Sequence, residues 1–144
     1  MCFPSLLRTL LVAVVVGLAL AGPTSASTEA SKAQDRITIP RLGLDLRLAG
    51  SLDEGPYAYY QDSDTLAVAG HRTTHSRPFS RLPTLRRGDE IRVGGVRFVV
   101  RRSSVVRPWE TWVLRFRGLV LSACTPAGSA AYRYVVFAAP ALQS

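Results

Sequence analysis

EIRVGGVRFVV, residues 90–100, decides the fold class. Apolar and polar side chains alternate on either side of Gly94 and Gly95, the pattern of two half-buried strands joined by a two-residue turn. Glycine suits both turn positions because a tight hairpin turn needs positive φ there. In that register Val93 faces Val96 and Ile91 faces Phe98, so four apolar side chains share one face. Arg92 then faces Arg97 on the other face. Like charges directly opposite repel, which predicts that both arginines are exposed and splayed apart.

Working outward, residues 101–106 (RRSSVV) extend the second strand as far as Pro108. Upstream, RITI (36–39) alternates until Pro40, and LDLRL (44–48) repeats the alternation. TLAVAG (65–70) is a short apolar run of buried-strand length that ends at His71. Downstream, GLVLSA (118–123) and YRYVVFA (132–138) read as two more strands, joined by a loop containing Pro126 and Gly128. Only RPFSRLPTL (77–85) has room for helix, one or two turns broken by Pro83. Seven or eight short strands with turn signals throughout make an all-β domain. Closing the sheet into a small barrel removes its exposed edges; a β-sandwich satisfies the same periodicity.

The chain of 144 residues, 47% hydrophobic, suits one domain with a modest core. Residues 10–21 (LLVAVVVGLALA) are uninterrupted apolar, with Arg8 before them and Gly22 and Pro23 after. That length fits a signal-peptide core and falls short of the ~20 residues that span a bilayer as a helix. Small-residue cleavage sites stand at 19–21 and 24–26. Extending the stretch back to Phe3 instead gives an uncleaved anchor with Arg8 at the cytoplasmic interface. Residues 1–26 therefore read as a signal peptide or an N-terminal membrane anchor, residues 27–34 as a polar linker, and residues 35–144 as a domain working outside the cytoplasm. The net charge of +8 is carried by seventeen arginines and one lysine. It favours anionic partners such as wall polymers or lipid headgroups. The arginines are scattered without a one-faced basic stripe or interleaved aromatics, which argues against nucleic acid as a partner.

Export changes how the two cysteines read, because an oxidising compartment favours paired cysteines. Cys2 precedes the apolar stretch, so Cys124 has no intramolecular partner and becomes a candidate reactive thiol, or else a small buried hydrophobe. An ordinary thiol is only a few per cent thiolate at pH 7, so a nucleophilic cysteine needs a base or a nearby positive charge. The two histidines, His71 and His75, lie in one loop. His71 directly follows Gly70 and a buried strand, so its backbone is anchored and it is the favoured base. Arg133, nine residues after Cys124, returns beside it if the flanking strands pair as a hairpin. Its planar donors suit an oxyanion or a peptide carbonyl; a surface arginine is the plain alternative. Other thiol chemistries fit poorly, since Ala130 stands where a phosphatase loop has arginine and Ala127 where a redox CxxC has its second cysteine. The HxxxH spacing is that of some zinc sites, but the HExxH glutamate is missing, and Thr73 and Thr74 disfavour the helix that would align the rings. Neither metal nor cofactor is expected.

AVAGHRTTHSRPFSRLPTLRRGDEI, SSVVRPWETWVL and LVLSACTPAGSAAYRYVV together resemble the sortases, in particular their class E and class D-like types from Gram-positive bacteria. The likeness spans about residues 37–138. It implies a closed eight-stranded β-barrel and a cysteine transpeptidase. Cys124 would attack the Thr-Gly bond of an LPxTG or LAxTG sorting signal, forming a thioacyl-enzyme. His71 would exchange protons with the leaving and incoming amines, and Arg133 would hold the peptide and the oxyanion. The implied partners are surface proteins bearing a sorting signal, with a peptidoglycan-precursor or pilin amine as acceptor. Two departures stand out. The family's TLxTC is VLSAC here, with Val120 and Ala123 at the threonine positions, which removes a possible hydrogen bond beside the thiol. The segment RFRG (115–118) before the cysteine strand is short, where sortases shape the substrate groove. A catalytically inactive barrel that binds wall peptides outside the cell is the alternative function.

Overall fold

A computed structural model describes residues 35–142. The apolar stretch, the linker and Cys2 lie outside the described residues. Eight strands form one sheet: β1 (Arg36–Ile39), β2 (Leu44–Arg47), β3 (Tyr57–Gln61), β4 (Thr65–Ala69), β5 (Glu90–Val93), β6 (Val96–Val106), β7 (Gly118–Thr125) and β8 (Tyr132–Pro140). Their order is β2-β1-β5-β6-β8-β7-β4-β3. Every pairing is antiparallel except that of β4 with β7. The sheet curls into a barrel whose ladder does not run all the way round. Its two edges, β2 and β3, meet through an isolated bridge from Ala49 to Tyr57, with Ala49 N donating to Pro56 O at 2.7 Å. The expected closed barrel is therefore a curled sheet with a seam. Among the described residues, no helix is long and apolar enough to cross a membrane.

The glycine hairpin forms in the expected register, with Val93 opposite Val96, Ile91 opposite Phe98 and Arg92 opposite Arg97. Three of its four apolar side chains enter the core; Val96, beside the turn, stays half exposed. The two arginines do not splay. Arg92 Nε and Arg97 Nε each donate to Glu90 at 2.6 Å, one to each carboxylate oxygen. Glu90 lies on the same face as Arg92 and diagonally across from Arg97, so one carboxylate neutralises the like-charge pair.

The short helical pieces also differ from the sequence reading. Among the described residues three 3-10 turns occur, at Pro40–Leu42, Leu82–Thr84 and Thr111–Arg115. Pro83 does not break a helix but sits inside the first turn of one, where its missing N–H costs nothing. Strand β3 has no counterpart in the sequence reading. It is an edge strand, and YAYYQ stays largely exposed, so the in-out alternation that reveals a strand is absent.

Strands β7 and β8 form the centre of the molecule and are buried on both faces. Leu119, Leu121, Ala123, Val136 and Ala138 point into the main core inside the barrel. Val120, Val135 and Phe137 point outward into a second cluster with Ala67, Val106 and Val113. The connection between β6 and β7 covers this outer face. Trp112 stacks on Phe137 with centroids 5.8 Å apart, Phe116 meets the same ring edge-on at 5.2 Å, and the Arg102 guanidinium lies 4.2 Å from its centroid. Such aromatic pairs add about 0.5–1.5 kcal/mol beyond their buried area. Thr65 Oγ1, donating to Phe116 O at 2.8 Å, ties the end of this connection to β4.

Candidate active site

Backbone register brings the predicted residues together. In the β7–β8 ladder Cys124 pairs directly with Arg133. Residues directly opposite in an antiparallel pair share a face, so the arginine's orientation follows from the pairing. On the other side of β7, the parallel ladder sets Ala69 level with Ser122, and Gly70 N donates to Ser122 O at 3.1 Å. The parallel ladder ends there, two residues before His71 on one strand and two before Cys124 on the other, and these two residues line one cavity. His71, Cys124 and Arg133 thus lie side by side across three neighbouring chain segments.

The loop after β4 is held by contacts that are distant in sequence. Phe79 is fully buried, and its ring packs so closely on Gly70 that a Cβ there would stand 2.5 Å from Phe79 Cδ2. Phe79 N also donates to His71 O at 3.1 Å. Gly70 and Phe79 are therefore the clamp that ends β4 and presents His71. Burial of one such side chain stabilises the fold by roughly 1.5–3 kcal/mol. Arg72 reaches back across the gap, its Nη1 donating to Cys124 O at 3.2 Å and to Thr125 Oγ1 at 3.1 Å. The sequence reading missed Arg72, which nothing distinguishes among seventeen arginines except its place beside His71. It also missed Asp53, whose Oδ1 accepts from His71 Nε2 at 3.1 Å and lies 3.6 Å from His75 Nε2. Asp53 belongs to the turn between β2 and β3, a segment without periodicity.

The nucleophile candidate is partly exposed and, among the described cysteines, free. It lines a shallow cavity of about 190 Å³ with His71, Arg72 and Ser129. Arg133 lines a larger, mostly apolar cavity of about 370 Å³, together with Tyr57, Tyr59, Val113, Leu114 and Ser122. The Cys124–Arg133 pair stands between the two. Arg133 Nη1 donates to Ala130 O at 2.9 Å and to Tyr132 O at 3.1 Å. Its Nη2 and Nε, three further N–H donors, are left for another acceptor.

Both expected departures around the cysteine take on a different meaning. Ala123 lies on the opposite face of β7 from Cys124, 3% exposed in the main core, so a threonine there would put its hydroxyl among apolar side chains. Val120 shares the cysteine's face but is fully buried in the outer cluster. Neither lines the apolar cavity, whereas Ser122 does. Likewise the segment that lines the groove lies just before RFRG, none of whose residues reaches the cavity. The part of the connection from Arg107 to Leu114 lines the apolar cavity, and it is ordered by Glu110, which accepts from Arg107 N at 2.6 Å and Trp112 Nε1 at 3.3 Å. The Arg107 N–H foremost, then the indole, hold the Glu110 carboxyl below the usual carboxylate range.

The family model described as Sortase domain matches residues 37–141. No curated protein matches the chain. Among solved structures it is similar to sortase C-1 from Actinomyces oris, at 26% identity and TM-score 0.66, covering 75% of this chain and 73% of that one. It is also similar in fold to sortase E1 from Streptomyces coelicolor, at 24% identity and TM-score 0.61, over 74% and 86% of the two chains. A lid mutant of sortase A from Corynebacterium diphtheriae gives 22% identity and TM-score 0.63, over 76% and 70%. These neighbours come from three sortase classes.

Proposed function

The chain belongs to the sortase family of cysteine transpeptidases, whose family model spans residues 37–141, and from that premise we propose that Cys124 is its nucleophile, His71 its proton carrier and Arg133 its oxyanion clamp. The observation that supports this assignment is the double register at β7: Cys124 pairs with Arg133 on β8, and on its other side β4 ends with Ala69, two residues before His71, level with Ser122, two residues before Cys124. The Cys124 sulfur attacks the threonine carbonyl of a sorting signal and a tetrahedral intermediate forms. Arg133, through Nη2 or Nε, faces the developing oxyanion. As the carbon–nitrogen bond breaks, the His71 ring gives a proton to the departing glycine amine and leaves a thioester on Cys124. The ring then takes a proton from the incoming amine, which attacks the thioester, forms the new amide and releases the sulfur. Arg72, through its bonds to the Cys124 carbonyl and Thr125, is a positioning residue.

The apolar cavity beside Arg133 suits the Leu-Pro or Leu-Ala portion of an LPxTG-like or LAxTG-like signal, because its walls offer tyrosine, valine and leucine and few charges. Two neighbours of this fold were solved with related ligands: sortase C from Clostridium perfringens with a C-terminal cell wall sorting motif, and the Streptomyces coelicolor enzyme with a tripeptide in the active site. The GHRTTHSRPF segment supports a class E or class D-like enzyme. The acceptor would be a peptidoglycan-precursor or pilin amine. Residues 1–26 would export the domain or tether it to the outer face of the membrane. Incubation with LPxTG and LAxTG peptides is expected to leave a thioacyl adduct on Cys124, seen by mass spectrometry of the trapped protein. Absence of an adduct with every such peptide would overturn the assignment in favour of a non-catalytic peptide binder.

A further inference from the structure

His71 and His75 converge on one carboxylate. Asp53 Oδ1 is 3.1 Å from His71 Nε2 and 3.6 Å from His75 Nε2, and the ring centroids are 5.0 Å apart at a 33° tilt. The segment between the histidines is not a helix. His75 instead adopts a left-handed backbone, φ 46°, and its ring turns back toward His71. One ligand atom from each of Asp53, His71 and His75 lies within 4.8 Å of the other two.

Those dimensions are close to a zinc site. Zinc with bonds of about 2.0–2.1 Å in a tetrahedron separates its ligand atoms by about 3.3–3.4 Å, and both edges that meet at Asp53 are within a few tenths of an ångström of that length. The remaining edge closes by rotating His75, whose side chain is half exposed. Two imidazoles and one carboxylate are a borderline-soft donor set that suits zinc and its transition-metal neighbours. Calcium and magnesium, which need a shell of oxygens, find one carboxylate.

We propose that Asp53, His71 and His75 form a zinc site with its fourth position open to water, and that zinc there switches the transpeptidase off reversibly. The switching half rests on the reading of His71 as proton carrier. A metal on its Nε2 holds the ring's one proton on Nδ1, so the ring has no free lone pair to accept the incoming amine's proton. Binding uses neutral imidazoles, so it adds no covalent step, and a chelator reverses it. The half-exposed His75 ring and exposed Asp53 make the site reachable from solvent, and Cys124 is not among its ligands.

The tag-free, full-length protein titrated with cobalt is expected to take up one equivalent with the strong visible absorption of tetrahedral nitrogen and oxygen ligation. Zinc should displace it. His75→Ala, and His75→Gln as a second variant, should weaken binding at least ~10-fold, as should Asp53→Ala, with folding checked by circular dichroism. Cys124→Ala should bind as the native protein does. A sulfur-to-cobalt charge-transfer band, loss of binding in Cys124→Ala, or unchanged binding in the His75 variants would overturn the site. Because cobalt uptake is read without substrate, it separates this proposal from the assignment of catalytic roles. In the acyl-transfer assay one equivalent of zinc should abolish turnover and a chelator restore it; full turnover by the zinc-loaded protein would overturn the switch.

Discussion

The two halves of the candidate active site are built differently. Cys124 and Arg133 stand on adjacent strands at the centre of the sheet, where β7 and β8 are buried on both faces. His71 stands just beyond the end of β4, in a loop held by the Gly70–Phe79 contact, by Arg72 and by Asp53 from another turn. A ladder fixes position through many shared hydrogen bonds, so no single side chain is indispensable to it. A loop is fixed by a few contacts, and each one matters. The strand-held half should therefore respond to substitution as chemistry and the loop-held half as geometry.

The largest effect expected is that of Cys124→Ala, which removes the sulfur and leaves the ladder intact. Acyl transfer should fall about a thousandfold or more while thermal unfolding hardly moves. A parallel loss of stability would show that the strand half is not as independent as the ladder implies. Gly70→Ala attacks the loop half. Its new Cβ meets a fully buried ring, so unfolding in urea should lose about 3 kcal/mol, the upper range for overpacking, and activity should fall with it. Arg72→Ala is expected to lower kcat about tenfold, or 1.4 kcal/mol, with KM unchanged, since it aligns the reacting strand without touching the peptide groove. A rise in KM at constant kcat would instead make Arg72 a substrate-binding residue.

Ala123→Thr tests the strand half from its other face. Restoring the family's usual threonine should cost about 1 kcal/mol of stability, because the hydroxyl enters an apolar core, and should leave peptide preference unchanged. A changed preference would mean that the β7 faces communicate. Glu110→Gln should have the smallest effect. Its carboxyl titrates below the usual range in the folded protein, so its contribution is present above the unfolded-state pKa and lost as pH falls through the lower folded value. The native protein should lose stability in the acid range below about pH 4, and the variant should lose less there.

The difference between the halves also governs what could be read in advance. The hairpin register was legible because alternation around Gly94 and Gly95 is local, and so was the pairing of Cys124 with Arg133, since one short loop joins their strands. The Glu90 clamp on Arg92 and Arg97 was not, because pairwise repulsion ignores a third charge on the same face. Strand β3 escaped notice because an exposed edge carries no burial pattern. Ala123 seemed a loss to the pocket only while its face was unknown. Asp53 and Arg72 carried no signal, since their partners lie 18 and 52 residues away.

The sequence by itself determined an all-β domain, the family through its three motifs, and Cys124, His71 and Arg133 as candidates. Periodicity and turn chemistry act between near neighbours, so they survive in the linear order. Only the tertiary structure decided that β4 runs parallel to β7, that Ala123 faces the core, and that two histidines share one carboxylate. These depend on non-local pairing across a curled sheet, where which strands meet is settled by the burial of both faces of β7 and β8 rather than by any single segment.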